Sequence, residues 1–217
     1  MQIIWKGQSC FQIISQVAKS TQVSIVTDPF SKEIGLRFPK TKADIVLVSH
    51  GHYDHNNVKA VEGDFFLIDG PGEYEVKGVF VQGIASWHDN SKGKERGENT
   101  IYVIETEGLR VCHLGDLGQS ELTSEQLEAI GAIDILMVPV GGVYTISAKE
   151  AVKIISQIEP KITIPMHYLI PKLKLKIKGV DDFLKTLGLK KIEPLPKLAV
   201  KKKDLSPDEA KIVLLRP

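Results

Sequence analysis

The chain is poor in cysteine, histidine and long apolar runs, and each scarcity narrows what it can be. Two cysteines occur, Cys10 and Cys112, both in strand-like runs. That excludes a disulfide-built scaffold and points to two buried thiols in a cytoplasmic protein. No stretch approaches the roughly 18 consecutive apolar residues of a membrane-spanning helix, so no membrane partner is expected. Residues Met1–Gln8 show no basic region followed by an apolar stretch, the mark of a secretory leader. A low-complexity linker and a short-period repeat are also missing, which argues for one domain over residues 1–217.

What is present fits an ordinary globular chain of 217 residues, 42% hydrophobic and 25% charged, long enough for a substantial core. The formal charge of +1 hides an asymmetry. Between Ile170 and Lys203, eleven lysines face only Asp181, Asp182 and Glu193, a local +8 that leaves −7 for the rest. Such a segment attracts anionic substrates or nucleic acid. Its lysines lack the interleaved aromatics of a base-stacking platform, so a solvated face is the plainer reading and nucleic acid the lesser partner.

Strand signals fill the first half: Gln2–Trp5, Cys10–Ser15, Val23–Thr27, Ile45–Val48, Phe65–Ile68, and a hairpin of Tyr74–Val76 with Val79–Ile84 about Lys77-Gly78. Further strands are expected at Thr100–Thr106, Leu109–His113, Ile135–Val138, Ile162–Met166 and Ile212–Leu215. Capping boxes at Thr123-x-x-Gln126 and Ser147-x-x-Glu150 open two helices, and a third near Asp181–Leu187 stops at Gly188. The alternation Leu173-Lys174-Leu175-Lys176-Ile177-Lys178 predicts an exposed edge strand guarded by lysines.

Six histidines occur, and three of them lie in Ser49-His50-Gly51-His52-Tyr53-Asp54-His55, straight after the apolar run Ile45–Val48. Histidine and carboxylate are the donors that hold borderline transition metals, zinc foremost. In extended chain His50 and His52 point the same way, and Asp54 and His55 follow where the strand must end. His88 and His167 also fall at strand ends, as does Asp116 just after one, and strand ends on one rim bring distant side chains together. Two sites follow: His50, His52 and His88 for one metal, Asp54, His55 and His167 for the other, with Asp116 as a bridge. Asp28 closes an early strand in an Asp-Pro turn. His113 falls two or three residues too early to be the bridging ligand and is read as near the site or packing.

The ordered motifs His50-x-His52-x-Asp54-His55, His88, Gly115-Asp116 and Pro165-Met166-His167-Tyr168 resemble those of the metallo-β-lactamase superfamily, with Asp28 matching its first motif. Trp5-x-Gly7-x-Ser9, Pro71-Gly72-Glu73-Tyr74, Arg96-Gly97-x-Asn99 and Pro139-Val140-Gly141-Gly142 resemble its small stand-alone Zn-dependent hydrolase branch, related to L-ascorbate-6-phosphate lactonase. The resemblance implies an α+β fold, a four-layer αβ/βα sandwich with pseudo-symmetric halves of about 1–105 and 106–217. It implies that Asp28 orients a ligand histidine without touching metal. Gln8 is a departure, because related proteins commonly carry histidine after that glycine.

The expected activity is hydrolysis of an ester-like bond, a lactone or a phosphate ester, in a small anionic substrate by a metal-bridging hydroxide. Two Zn2+ per chain are expected; Mn2+ and Fe suit similar mixed donors. Asp54 both holds metal and accepts the hydroxide's hydrogen bond, which makes it the catalytic residue. Arg96 beside His88 suits a substrate phosphate or carboxylate, Gly141 and Gly142 offer room or backbone donors, and Tyr144 lines the mouth. The alternatives are a nuclease or cyclic-nucleotide phosphodiesterase using the same site, and a metal-binding protein without turnover. A homo-oligomer is left open.

Overall fold

β-branched and aromatic residues recurring with period two, punctuated by glycine-bearing turns, make this a strand-rich chain. The computed structural model describes residues 1–206 and 210–217. In chain order the strands are β1 (Gln2–Gly7), β2 (Cys10–Ala18), β3 (Thr21–Thr27), β4 (Thr41–Lys42), β5 (Ile45–Leu47), β6 (Val61–Glu62), β7 (Phe66–Ile68), β8 (Gly72–Val76), β9 (Val79–Trp87), β10 (Glu98–Thr106), β11 (Leu109–His113), β12 (Ile135–Pro139), β13 (Ile162–Met166), β14 (Leu198–Ala199) and β15 (Lys211–Ile212). The helices are α1 (Ser124–Ile130), α2 (Ala148–Ile158) and α3 (Asp181–Thr186). No helix among the described residues is long and apolar enough to cross a membrane.

Two mixed sheets carry the fold, ordered β14-β1-β2-β3-β5-β7 and β15-β13-β12-β11-β10-β9-β8, beside a small β4-β6 pair. The chain changes sheets between β7 and β8, and β14 returns from the C-terminal region to the first sheet. Lys77 and Gly78 turn β8 into β9 with φ of 52° and 77°, and Glu107 and Gly108 turn β10 into β11 with 54° and 68°. Those positive values are what tight two-residue hairpins demand.

One apolar core joins the sheets and includes Ile3, Trp5, Phe11 and Ile13 of the first with Tyr102, Ile104 and Val111 of the second; Phe11 lies edge-on to the His113 ring at 6.0 Å. Tyr102 crosses the interface and donates its hydroxyl to the Val48 carbonyl at 2.8 Å. Both expected capping boxes form at Thr123 and Ser147. Helix α2 turns Ala151, Ile154 and Ile158 inward. Outside the first sheet, 3-10 turns at Lys32–Ile34 and Val58–Ala60 stand where the second sheet has α-helix. There Phe30, Ile34 and Val46 pack with Leu173 and Ile177. Cys10 and Cys112 are free and buried.

The predicted edge strand at Leu173–Lys178 does not form. The segment is an irregular strap, pinned by Lys174 N–H to the Ile34 carbonyl and Lys178 N–H to the Gly141 carbonyl, both 2.8 Å. Its apolar residues alternate because Leu173 and Ile177 plug a core while the lysines face water. Alternation alone does not distinguish a sheet face from a pinned strap.

Parallel pairing positions the site. β3, β5 and β7 run parallel in the first sheet and β11, β12 and β13 in the second. β9 is antiparallel to β10, which is antiparallel to β11, so β9 ends on the same rim. Thr100 N–H to the Ser49 carbonyl, 2.8 Å, ties the two rims together.

Candidate metal centre

The loop after β5 does not stay extended. His55 and Asn56 N–H both reach the His52 carbonyl at 2.9 Å, closing a helical turn. The turn, rather than strand alternation, gathers the rings: His50 lies 4.6 Å from His52 and 4.2 Å from His55 between centroids. Asn57 N–H to the Pro29 carbonyl and Ser31 N–H to the Tyr53 carbonyl anchor the loop to the segment after β3.

Three other strand ends complete the cluster. His88 follows β9, Asp116 lies just beyond β11, and His167 follows β13. Ligand-type atoms of His50, His52 and His88 lie within 4.8 Å of one another, and so do those of Asp54, His55, Asp116 and His167. Oδ2 of Asp116 stands 3.2 Å from His55 Nε2, 3.1 Å from His167 Nε2 and 3.5 Å from His88 Nε2, which spans both groups.

These contacts are close without being hydrogen bonds. Nε2 of His50, His55 and His167 are buried and have no hydrogen-bond partner. Leaving buried polar atoms unpaired costs about 1–3 kcal/mol each, so the orphans call for a ligand. Donors about 2.1 Å from a tetrahedral zinc stand about 3.4 Å apart, which is the spacing around Asp116. The residues present fit a metal.

The walls fix the rings from behind. Asp28, buried, accepts Ser49 N–H at 2.7 Å and Ser49 Oγ–H at 2.8 Å, and its Oδ2 meets His55 Nδ1 at 3.0 Å. That leaves His55 Nε2 facing the cluster, the geometry by which a carboxylate orients a ligand histidine. Burial raises the Asp28 pKa, but the His55 ring overrides it and holds the carboxyl below its ordinary value. Burial likewise works against ionised Asp116, yet His167 and His55 hold it well below the usual range. Asp54 rests at about 2, because the His55 ring outweighs the effect of burial. Burial, then the His55 ring, pushes His50 down to about 3.

His113 is not a ligand. Its Nε2 meets the Ser9 carbonyl at 2.8 Å and its Nδ1 accepts Gly115 N–H at 3.2 Å, so both nitrogens are used in packing the turn before Asp116. Gly141 and Gly142 do not line the cleft. A Cβ on Gly141 would stand 2.2 Å from the His167 carbonyl oxygen, so the glycine admits that backbone instead of substrate. Arg96 and Tyr144 do line it, with His52, Tyr53, Asp54 and Leu175, around a volume of about 280 Å³. The guanidinium stacks 5.0 Å above the Tyr144 ring. Asp89 shapes the loop that carries Arg96 by accepting the Gly93, Glu95 and Arg96 N–H groups at 2.8–3.0 Å.

Sequence reasoning put Gln8 only near the edge of the site and gave Ser9 and Asn99 no role in it. Gln8 donates Nε2 to Asp54 Oδ2 at 3.0 Å. Ser9 donates Oγ to Asp116 Oδ1 at 3.3 Å. Asn99 Oδ1 accepts Asp116 N–H at 2.9 Å while its Nδ2 donates to Ser86 Oγ and the Leu114 carbonyl. Gly115, with φ of 56°, leaves no room for a side chain against Asn99 and Ser49. The Gly-Gln-Ser turn and the buried Asn were the signals available, although neither residue type announces a metal.

The chain matches the β-lactamase superfamily domain over residues 2–167. It is 30% identical over 194 residues to a UPF0173 metal-dependent hydrolase of Thermoplasma acidophilum, covering 77% of this chain and 83% of that protein. It is 33% identical to a UPF0173 protein of Pyrococcus abyssi, with the same coverage. A crystal structure from Thermotoga maritima, provisionally titled a Zn-dependent hydrolase of the metallo-β-lactamase superfamily, superposes with a TM-score of 0.78 at 40% identity, over 99% of this chain and 97% of that one.

Proposed function

The chain belongs to the metallo-β-lactamase superfamily, as a UPF0173-type metal-dependent hydrolase, and on that premise we propose that it cleaves an ester-like bond in a small anionic substrate with two zinc ions. The observation that carries the reading is Asp116 Oδ2, which lies within 3.5 Å of histidines from both ligand groups. Zinc held there supplies an acidified water and a Lewis acid at neutral pH.

The chain's own residues supply the rest. Asp54, held down to about 2, is ionised throughout the neutral range, so it accepts a hydrogen bond and has no proton to give. Gln8 occupies one acceptor site on its Oδ2 and keeps the carboxylate from swinging away. His50 and His88, both shifted down first by burial, are neutral and offer lone pairs. Arg96, stacked on Tyr144, holds the substrate's phosphate or carboxylate at the cleft wall. Leu175 and Tyr53 give that cleft apolar surface, and about 280 Å³ suits a small molecule.

Mass spectrometry of purified protein tests the premise, with about two zinc ions per chain expected. A panel of lactones, phosphodiesters and thioesters then tests the chemistry. Asp54→Ala should lower kcat/KM by about 10³-fold on whichever class is turned over; unchanged turnover would sink the assignment. A second reading, phosphodiester cleavage in nucleic acid, draws on Lys174 and Lys176, exposed on either side of Leu175 at the cleft. Steep loss of activity with salt on short RNA would favour it.

A further inference from the structure

A larger cavity of about 690 Å³ opens elsewhere and shares no lining residue with the catalytic cleft. Lys6, Arg37, Lys172 and Arg216 line it, beside Ile4 and Leu36; no Asp or Glu lines it, and the chain-terminal Pro217 is the one lining residue with a carboxylate. None of the four cations has an ion-pair partner among the described residues. In a chain of net charge +1, four unpaired cations around one cavity are a concentration that local composition does not demand. Lys6 is half-buried, and burial lowers its pKa, as expected for an ammonium facing apolar walls without a counter-ion.

The backbone contributes as well. Edge strand β14 pairs with β1 only at Gln2 and Ile3. From Ile4 to Lys6, where β1 borders the cavity, that edge has no strand beside it.

We propose that this cavity binds a small organic anion with an apolar body, such as an alkyl phosphate or a medium-chain carboxylate. The head group meets the two guanidinium forks and the Lys6 ammonium, which relieves their mutual repulsion. The body lies along Ile4, Leu36 and the proline rings of Pro39 and Pro196, which supply the apolar lining.

Titration of the zinc-loaded protein with octyl phosphate, followed by calorimetry, tests the site. Inorganic phosphate and octanol serve as the head-only and body-only probes. Octyl phosphate should bind at least about tenfold more tightly than either, because both halves of the cavity are then used. Lys6→Met and the exposed Arg37→Gln should each weaken it by about fivefold or more. Arg96→Gln, in the catalytic cleft, should remove any octyl phosphate binding there and leave unchanged the binding event that Lys6→Met and Arg37→Gln weaken. Circular dichroism and Tm check that each variant folds, and Arg37→Gln keeps the test standing if Lys6→Met does not. Binding indifferent to both substitutions, loss of that same event in Arg96→Gln, or no preference over inorganic phosphate would each overturn the proposal. None of these outcomes bears on zinc content or turnover at the other site.

Discussion

The two groups of metal-type donors are built differently although they meet at one carboxylate. Asp54, His55, Asp116 and His167 are all buried, whereas His52 of the His50/His52/His88 group is exposed. The buried group has two carboxylates and is braced by Asp28, Gln8 and Ser9. The open group has three imidazoles, braced at His50 by Ser49 Oγ, 3.0 Å from Nδ1. Three non-glycine residues in left-handed backbone, Gln8, Asp28 and His167, abut the buried group or belong to it, with φ of 54°, 43° and 51°. Such backbone costs of order 1 kcal/mol per residue and persists where surroundings over-determine it. The lesson is a difference of build: one half of the centre is wholly buried and anionic, and the other is all imidazole and reaches solvent through His52.

Removing the shared carboxylate tests whether the halves are one centre. Asp116→Ala should weaken both groups, leaving well under one zinc per chain, and lower kcat/KM by more than about 10³-fold. Loss of metal from the buried group alone, with the other still filled, would break the bridge. Asp28→Asn should act on one side only. It should weaken zinc binding at the buried group by about 10–100-fold in a competitive chelator titration, and equal weakening of both groups would erase the contrast.

Acid should separate the groups next. Burial alone lowers the His55 pKa, but Asp116 and Asp28 raise it well above its ordinary value in the metal-free chain. Zinc must displace that proton. Affinity at the buried group therefore rises with pH up to the raised pKa and falls below it by as much as about tenfold per unit for one proton. His50, at about 3, is already neutral and adds no such slope. Zinc titrations between pH 6 and 8 measure the two slopes, and parallel lines would contradict the difference. Arg96→Gln should raise KM for anionic substrates by about tenfold with little change in kcat. The smallest effect belongs to Ser9→Ala. Its hydrogen bond to Asp116 is long for a hydroxyl donor, 3.3 Å, and so predicts only a few-fold loss of affinity at the buried group.

Much of the site was readable because its nucleus is local. His50 through His55 fall within one turn of chain, so any compact path after a buried strand gathers them. His88, Asp116 and His167 were readable as polar residues at the ends of apolar runs. The strap at Leu173–Lys178 was misread, because period-two burial arises wherever alternate side chains find a core. The role of Gly141 was not readable, because a glycine's role depends on what approaches it, here the His167 carbonyl.

By itself, the sequence determined the donor nucleus from His50 to His55, the hairpin turns and the helix caps, since each depends on residues a few positions apart. Tertiary structure decided that Gln8 supports Asp54, that Asn99 and Ser9 set Asp116 between two groups, and that His113 packs instead of ligating. Those contacts join residues 17 to 107 positions apart. Sheet register and the packing of one sheet on the other create them, and no local pattern encodes either.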